Sequence, residues 1–580
     1  MLKILLAEVK QYKKASVLTP IFMTGEVIME IAIPMMMARL IDNGVDKGDF
    51  RAVCITGGIM AAMAFVSLAC GVLSGKYGAL ASSGFAHNLR QAMFRNIQTF
   101  SFANLDKYST AGLVTRMTTD VTNVQNAYQM ILRMCIRAPM MLVCAMAAAM
   151  FISLRMSMIF VAALVLLGIA LFFITTHAHP IFNQVFHKYD DLNASVQENV
   201  NAIRVVKAYV REAHETEKFH SANDSLYRLF IRAEKLITLN APAMQFTMYG
   251  CILAISWLGA HMISAGSLTT GNLMSLFTYV MNILMSLMML SMIFVMITMS
   301  RASAERIAEV LEEKADLVSP AAARQTVADG SVDFERVSFA YGAGKPVLQS
   351  IDLHIRPGET VGIIGGTGSA KTSLVQLIPR LYDVTDGTVR VGGTDVREYE
   401  LDALRGAVAM VLQKNVLFSG TVKENLRWGN KNASDEELVH ACRLAQADEF
   451  IRTLPEGYDT YIEQGGTNVS GGQKQRLCIA RALIKKPKIL ILDDSTSAVD
   501  THTDALIRDA FAKELPETTK LIIAQRVSSV QNADKILVLD EGRIAAFGTH
   551  EELLQTSEIY RDVYKSQQKG ADDDAAARRA

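Results

Sequence analysis

The sequence lacks three features, and each absence narrows the class of protein. Its seven cysteines show no Cys-X-X-Cys spacing, so neither a disulfide framework nor a zinc site is indicated. It has no excess charge, with 58 Lys and Arg against 58 Asp and Glu, so no global field attracts nucleic acid and none is expected as a partner. Charged residues are also missing from several long stretches, which is typical of a membrane protein.

Length and composition together predict a membrane part joined to a soluble part. At 580 residues the chain is too long for one compact core. Half of its residues are hydrophobic, yet 20% are charged. Neither a plain soluble enzyme nor a pure membrane bundle combines these two fractions.

The charge-free stretches locate the membrane part, because a helix needs about 20 mostly apolar residues to cross the hydrocarbon core. Residues 241–300 contain no Asp, Glu, Lys or Arg and fit two crossings with a polar turn near residues 264–272. Four further apolar stretches lie upstream. The six predicted spans cover residues 17–41, 52–75, 130–154, 156–178, 242–264 and 272–298.

The loops between the spans predict the orientation in the membrane. Two long connections, residues 76–125 and 179–240, are polar and rich in Lys and Arg, which predicts that they and the amino end are cytoplasmic. Their helical patterning predicts that the spanning helices continue tens of ångströms into the cytoplasm. We expect a transmembrane domain at residues 1–318, a linker at 319–330, an α/β domain at 331–568 and a disordered tail at 569–580.

A phosphate-binding loop is indicated at residues 361–374, which read VGIIGGTGSAKTSL, follow a strand-like stretch and open a helix. Backbone N–H groups of residues 365–372 are expected to wrap the β-phosphate. Lys371 is expected to bridge the β- and γ-phosphate oxygens, and the Thr372 hydroxyl to ligate Mg²⁺. Ala370 stands where this pattern has its last glycine. The cost of the added methyl is expected to be small if the residue adopts a negative φ.

Two further motifs follow the loop. Residues 488–500 read KILILDDSTSAVD, a buried-strand pattern that ends in acids, and Asp493 is expected to hold the Mg²⁺ water shell opposite Thr372. Residues 468–476 read NVSGGQKQR, where small residues suit a helix N-terminus set against a phosphate. The order and spacing of the three motifs are more specific than any one of them.

In this order the motifs resemble those of half-transporters of the ATP-binding cassette exporter family, over essentially the whole chain. The resemblance implies a six-helix, all-α transmembrane domain with long cytoplasmic helix extensions, followed by an α/β P-loop nucleotide-binding domain, with ATP and Mg²⁺ as cofactors. By this resemblance Tyr341 stacks on adenine, and Gln413 contacts Mg²⁺ and senses the membrane domain. The implied nucleotide-binding residues are Tyr341, Gly365, Gly366, Thr367, Gly368, Ser369, Ala370, Lys371, Thr372, Ser373, Gln413, Ser470, Gly471, Gly472 and Gln473. The implied metal-binding residues are Thr372, Gln413 and Asp493.

Two residues depart from the family pattern at the catalytic positions. Asp494 stands where the family has a glutamate directly after the aspartate that corresponds to Asp493. Gln525, in the sequence LIIAQRVSSV, stands where the family has the histidine of its switch loop. Aspartate is one methylene shorter, and glutamine cannot take a proton or carry charge as histidine does. With Lys371 retained, both changes predict weak hydrolysis and preserved ATP binding.

By the resemblance, residues 469–473 are the family's signature motif. The resemblance also implies a dimer in which each ATP lies between one chain's phosphate loop and the other chain's signature motif. Two copies of this chain would form two impaired sites, so we expect a heterodimer. The partner is expected to be a homologous half-transporter with the glutamate and the histidine, and its site is completed by Ser470, Gly471, Gly472 and Gln473 of this chain.

The function expected from these features is ATP-driven export of small hydrophobic or amphipathic compounds, multidrug or lipid-like, across the inner or plasma membrane. The protein would be the degenerate-site subunit of a bacterial heterodimeric exporter. The alternatives are an ATP-gated regulatory or channel-like subunit, and an importer of a metal chelate on the same fold. The direction of flux and movement against a gradient distinguish them.

Two glutamates lie one helical turn apart in the first predicted span. Glu26 and Glu30 are expected either to attract a cationic substrate or to form a structural pair with Arg137, since Glu26 and Arg137 fall at similar depth. The residues alone favour the pair or an interfacial position, and they leave the attraction of a cationic substrate open.

Overall fold

The chain forms two units, which a computed structural model describes over residues 1–342, 344–495 and 498–577. The first unit contains Met1–Gln98 and Thr110–Glu313, and the second contains Thr99–Ser109 and Lys314–Ala580. The sequence predicted a boundary at residue 318, whereas the last long helix of the first unit ends at Glu312. The short segment Thr99–Ser109 belongs to the second unit, which the sequence did not predict.

The first unit consists of long helices joined by short turns. In chain order the helices from the amino end to the close of this unit are α1 Leu2–Ala7, α2 Lys13–Leu40, α3 Phe50–Thr99, α4 Phe102–Lys107, α5 Thr110–Thr115, α6 Val121–Ile152, α7 Leu154–Asn201, α8 Ile203–Ala208, α9 Glu212–Ile237, α10 Asn240–Ser264 and α11 Thr270–Glu312, of which α4 belongs to the second unit. Two π-helical turns, Ile41–Val45 and Arg116–Asp120, follow α2 and precede α6.

Six helical stretches of the described chain are long and apolar enough to cross a membrane. They are Lys10–Val45, Phe50–Thr99, Thr110–Ile152, Leu154–Phe182, Glu212–Ser264 and Thr270–Glu312. Each overlaps one predicted span, so the predicted number is confirmed. The 50 residues of α3 extend about 75 Å at about 1.5 Å per residue, more than twice the ~30 Å of a hydrocarbon core.

The third predicted span overruns the end of its helix. It was expected to reach residue 154, whereas α6 ends at Ile152 and α7 begins at Leu154. Ser153 between them is extended, and its hydroxyl accepts a hydrogen bond from the Met156 N–H. A serine that caps a helix satisfies a backbone donor that the new helix leaves unpaired, so it separates two spans without a loop.

Helix α2 packs against α11 through close backbone approach. Its buried residues recur every three or four positions, and they are Ala15, Thr19, Met23, Val27, Ile31, Pro34 and Ala38. The Tyr279 hydroxyl of α11 donates to the Ile31 carbonyl oxygen at 2.9 Å. A Cβ on Gly271 would lie 2.3 Å from the Ala38 carbonyl oxygen, so only glycine allows this approach.

The second unit is an α/β domain with twelve described strands. They are β1 Val332–Phe339, β2 Leu348–Ile355, β3 Thr360–Gly365, β4 Asp386–Val391, β5 Thr394–Asp395, β6 Val408–Val411, β7 Gly420–Thr421, β8 Tyr461–Ile462, β9 Ile489–Asp493, β10 Thr519–Ile523, β11 Lys535–Asp540 and β12 Arg543–Gly548. The helices are α12 Lys371–Gln376, α13 Leu401–Ala407, α14 Val422–Arg427, α15 Asp435–Leu444, α16 Asp448–Thr453, α17 Gly471–Ile484, α18 Thr501–Glu514, α19 His550–Thr556 and α20 Glu558–Ala577.

The largest sheet of this unit has the strand order β12-β11-β3-β10-β9-β6. The strands from β11 to β6 run parallel, and β12 is antiparallel at the edge. All five residues of β9 and of β10 are buried, as expected for parallel strands covered on both faces. An antiparallel sheet, β2-β1-β4-β5, and a two-stranded pair, β7-β8, complete the unit.

The carboxyl end of the chain differs from its prediction. A disordered tail was expected from residue 569, whereas α20 extends to Ala577. Residues 575–577 are three alanines, and alanine has the highest helix propensity, which the prediction from charge and composition did not weigh. Residues 578–580 of the predicted tail lie outside the described residues.

Candidate nucleotide-binding site

The sheet topology gathers the predicted site residues at one edge. Strands β3, β10, β9 and β6 are parallel neighbours, so their carboxyl ends meet there. The phosphate loop follows β3, Gln525 follows β10, Asp494 follows β9 and Gln413 follows β6. Segments that are far apart in the sequence therefore contribute to one site.

Lys371 lies at the start of α12 and bends back over the phosphate loop. Its Nζ donates to the carbonyl oxygens of Gly365 at 2.8 Å and Gly366 at 2.7 Å. Burial lowers the pKa of Lys371, and the carboxylates of Asp493 and Asp494 oppose that shift. The ammonium is thus held inside the loop, at the position where the sequence analysis expects it to bridge phosphate oxygens.

Asp493 and Thr372 fit a magnesium ion. The Thr372 hydroxyl donates to Asp493 Oδ1 at 3.1 Å, and Asp493 is 2% exposed. Asp493 Oδ2 is buried without a hydrogen-bond partner among the described residues. Burial raises the pKa of this carboxyl, with the Thr372 hydrogen bond opposing the shift. A buried carboxylate oxygen without a partner, beside a hydroxyl, is a suitable donor set for Mg²⁺, which prefers oxygen ligands.

Asp494 and Gln525, the two residues that depart from the family pattern, are bonded to each other. Gln525 Nε2 donates to Asp494 Oδ2 at 2.7 Å. Burial raises the pKa of Asp494, while hydrogen bonds from Gln525 and Gln413 oppose the shift. The carboxylate of Asp494 is therefore held by two neutral amides, and neither amide can accept a proton from it.

Tyr341 presents its ring at the surface beside the phosphate loop. The side chain is 40% exposed, and its hydroxyl lies 2.9 Å from the hydroxyl of Ser373 in α12. The exposed ring is available for stacking, and the hydrogen bond fixes its position relative to the loop. Both residues are among those expected to bind nucleotide, whereas their hydrogen bond to each other was not predicted from the sequence.

The signature residues form the capped start of α17. The Gln473 N–H donates to the Ser470 hydroxyl at 3.3 Å, and the Gln473 side chain accepts from the Ser470 N–H at 2.9 Å. This reciprocal capping box fixes the helix start. Ser470 and Gly471 are exposed, so the helix N-terminus with its free N–H groups faces outward from this unit.

The backbone of Ala370 does not adopt the negative φ under which its added methyl was expected to cost little. Its φ is +69° and its ψ +25°, the left-handed region that favours glycine, rather than a negative φ. An L-residue in this region costs about 1–2 kcal/mol relative to the right-handed conformation. The loop therefore keeps the backbone geometry of the glycine pattern although the glycine is missing.

We expect Ala370→Gly to stabilise the second unit by about 1 kcal/mol, since relief of the left-handed strain exceeds the extra chain entropy of glycine. The apparent unfolding midpoint of the nanodisc-embedded protein is expected to rise by about 2–4 °C, measured by scanning fluorimetry. Ala445→Gly is the matched control, because Ala445 is the C-terminal cap of α15 and has an unstrained φ of −83°. That control is expected to lower the midpoint, and an equal response of both variants would contradict the strain assignment.

Arg137 forms the predicted ion pair with Glu26 of the first span, and it also pairs with Glu30. Arg137 of α6 donates to Glu26 Oε1 at 2.6 Å and to Glu30 Oε2 at 2.7 Å. The predicted pair of Glu26 with Arg137 is confirmed, and the sequence did not predict that one guanidinium serves both glutamates. The one-turn spacing of the glutamates could have predicted this arrangement, because the several N–H groups of one guanidinium can donate to two carboxylates at once.

Known protein families match both the helical part and the α/β part of the chain. The family described as ABC transporter transmembrane region matches residues 17–288, and the family described as ABC transporter matches residues 348–497. The uncharacterized ABC transporter ATP-binding protein YfiB of Bacillus subtilis (strain 168) is 37% identical over 566 residues, which are 97% of this chain and 98% of the relative. The chain belongs to the ABC transporter family.

Two further proteins are similar to this ABC transporter. The multidrug efflux ATP-binding/permease protein Rv0194 of Mycobacterium tuberculosis (strain ATCC 25618 / H37Rv) is 32% identical over 95% of this chain and 46% of the relative. A bacterial Atm1-family ABC exporter with ATP bound has the same fold, with a TM-score of 0.81, 23% identity and coverage of 96% of this chain and 99% of that one. The chain thus has the exporter half-transporter architecture, a helical membrane domain followed by an α/β nucleotide-binding domain.

Proposed function

We propose that this ABC transporter is the degenerate-site subunit of a heterodimeric exporter of hydrophobic or amphipathic compounds. The observation that carries the proposal is the 2.7 Å hydrogen bond between Gln525 and Asp494. The two positions expected to activate water and sense the γ-phosphate hold a short acid and a neutral amide, and each engages the other. General acid–base catalysis needs a group that takes up a proton, and glutamine does not.

The phosphate loop supports ATP binding in this proposal. Lys371 contacts the γ-phosphate side of the nucleotide, and Tyr341 stacks on the base. Thr372, Gln413 and Asp493 hold Mg²⁺, which when bound neutralises charge on the phosphate oxygens. This site binds ATP for long periods, whereas the partner's glutamate and histidine hydrolyse ATP at the other site.

The signature residues serve the partner in this proposal. Ser470, Gly471, Gly472 and Gln473 lie at an exposed helix start, whose free N–H groups suit the γ-phosphate of an ATP bound by another chain. The partner is a homologous half-transporter. The amino end and the nucleotide-binding domain are in the cytoplasm, and the six helices lie in the inner or plasma membrane.

The export of hydrophobic compounds is supported by the name of the multidrug efflux relative. ATP shifts the membrane domain between conformations only by its differential affinity for them. ATP-dependent accumulation of a lipophilic fluorescent dye against a gradient, in inside-out vesicles that contain this chain and the co-purified partner, tests export. Ionic currents without accumulation would instead favour the channel-like alternative, and accumulation in the reverse direction the importer.

We expect Lys371→Met to weaken ATP binding by about 10- to 100-fold, because charge-assisted hydrogen bonds contribute about 1.5–3 kcal/mol each. The measurement is equilibrium binding of a fluorescent ATP analogue to the full chain in nanodiscs, in the presence of Mg²⁺. Lys513→Met removes an ammonium from an exposed lysine and is expected to leave the affinity unchanged. Unchanged affinity in Lys371→Met would contradict the assigned nucleotide site.

A further inference from the structure

The last helix of the second unit, α20, is held against the core of that unit by its first two turns. Tyr560 is fully buried, and Val563 and Tyr564 pack beside it against the same cluster of apolar side chains. The Tyr560 hydroxyl lies 2.7 Å from Nδ1 of His550 in α19. Positions 560, 563, 564 and 567 have the spacing of one helix face, so Gln567 lies on the face that the core holds in place.

Gln567 binds the switch loop, residues 525–530, with both ends of its side-chain amide. Its Oε1 accepts a hydrogen bond from the Val527 N–H at 2.8 Å, and its Nε2 donates to the Gln525 carbonyl oxygen at 2.8 Å. Val527 begins a short 3₁₀ turn, and the first N–H groups of such a turn have no partner within it. One backbone group of the loop donates and the other accepts, so a side-chain amide satisfies both, which neither a carboxylate nor an ammonium can do.

The other half of the switch loop is held by a different helix, α18. Arg508 Nη1 donates to the Ser528 carbonyl oxygen at 3.1 Å, and the Ser529 hydroxyl donates to Asp504 Oδ2 at 3.0 Å. These bonds hold residues 528 and 529, whereas the Gln567 amide holds residues 525 and 527. Helix α20 therefore fixes the half of the loop that carries the side chain at the catalytic position.

We infer that Gln567 is a positioning residue for the Gln525 side chain at the γ-phosphate. The inference rests on the proposed function, in which Gln525 senses that phosphate. Gln525 is bonded twice, because its carbonyl oxygen accepts from Gln567 and its Nε2 donates to Asp494 Oδ2 at 2.7 Å. A side chain on a fixed backbone loses less conformational freedom when it binds, so the fixed loop favours contact with the nucleotide. Helix α20 thereby sets how strongly this site distinguishes ATP from ADP, which has no γ-phosphate.

Binding of ATP and of ADP to the full chain in nanodiscs, measured with Mg²⁺ by displacement of a fluorescent ATP analogue, tests this role. Gln567→Ala removes both hydrogen bonds to the loop. It is expected to lower the ATP affinity by about tenfold, the scale of one hydrogen bond, and to leave the ADP affinity within about twofold of wild type. Gln525→Ala is expected to give the same selective loss, with no further loss in the double variant, because both residues act on one contact.

Two variants separate positioning from a general effect on α20. Gln567→Glu keeps the size of the side chain and its acceptor for the Val527 N–H, but it has no donor for the Gln525 carbonyl oxygen. It is expected to reproduce the selective loss of ATP affinity. Gln568→Ala removes the neighbouring amide, which donates to the Tyr564 hydroxyl at 2.7 Å within the same helix. This matched control is expected to bind both nucleotides like wild type.

The outcomes distinguish this inference from the proposed function. A wild-type preference for ATP over ADP in Gln567→Ala would overturn the inference alone. Equal losses of ATP and ADP affinity in that variant would also overturn it, because they would assign Gln567 to the stability of the unit. Failure of the wild-type chain to bind ATP, or equal wild-type affinities for ATP and ADP, would overturn the proposed role of Gln525 at the γ-phosphate and this inference with it.

Discussion

The double replacement Asp494→Glu with Gln525→His is expected to raise the ATP turnover of the purified chain by about 100-fold, the factor that a misplacement of about 1 Å costs a catalytic group. Glutamate extends the carboxylate by one methylene toward the attacking water. Histidine supplies a group that can carry charge beside the γ-phosphate. The change also breaks the bond that holds Asp494 to the Gln525 amide.

Phosphate release from the full chain in nanodiscs, at saturating ATP, measures this effect. Each single replacement is expected to give a smaller gain than the double one, because residues that act as a unit are not additive. Asp509→Glu, which makes the same chemical change at an exposed aspartate, is the matched control and is expected to leave turnover unchanged. A double variant no faster than wild type would remove the basis for an impaired site.

The second large effect is expected in the membrane domain. Arg137→Met leaves Glu26 and Glu30 one turn apart without their shared guanidinium. Because these ion pairs are partly buried, we expect the loss to be smaller than the about 3–5 kcal/mol that removal of one partner of a fully buried pair costs. We expect a marked loss of folded protein, measured as the fraction that survives heating in detergent. Neutralising all three residues, as Glu26→Gln, Glu30→Gln and Arg137→Met together, is expected to recover most of the loss.

A neutral control separates this effect from the loss of any arginine. Arg155 is exposed in the first turn of α7, and Arg155→Met is expected to behave like wild type. If Arg137→Met were as stable as Arg155→Met, the contacts at 2.6 and 2.7 Å would not hold the helices together. The combination of an unstable single variant and a stable triple variant identifies the ion pairs as the cause.

The membrane helices could be predicted from the sequence because the physical requirement is local. A charge-free stretch of about 20 residues needs no knowledge of its neighbours, and all six predicted spans lie on long apolar helices. The helix break at Ser153 was missed by two residues because a single capping hydroxyl, and not a polar loop, ends α6. The membership of residues 99–109 in the second unit depends on contacts with residues more than 200 positions away, such as the bond from Asn104 to Lys314.

The residues of the nucleotide site were predicted from motifs, but their mutual contacts were not. In the sequence β9 precedes β10, whereas in the sheet β10 lies between β3 and β9. This order brings Gln525 to Asp494, and no spacing along the chain encodes it. The left-handed Ala370 was also unpredicted, because the loop geometry is set by the surrounding backbone, and the residue type alone suggests a negative φ.

The most direct test of the impaired site uses the chain by itself. The full-length protein is purified without any partner, incubated with Mg²⁺ and radiolabelled ATP, separated from free nucleotide and analysed for bound ATP and ADP over time. We predict that intact ATP remains bound and that turnover is more than about 100-fold below the typical enzyme value of about 10 per second. Rapid conversion to ADP at that typical rate, with dye accumulation in vesicles containing this chain alone, would contradict the account.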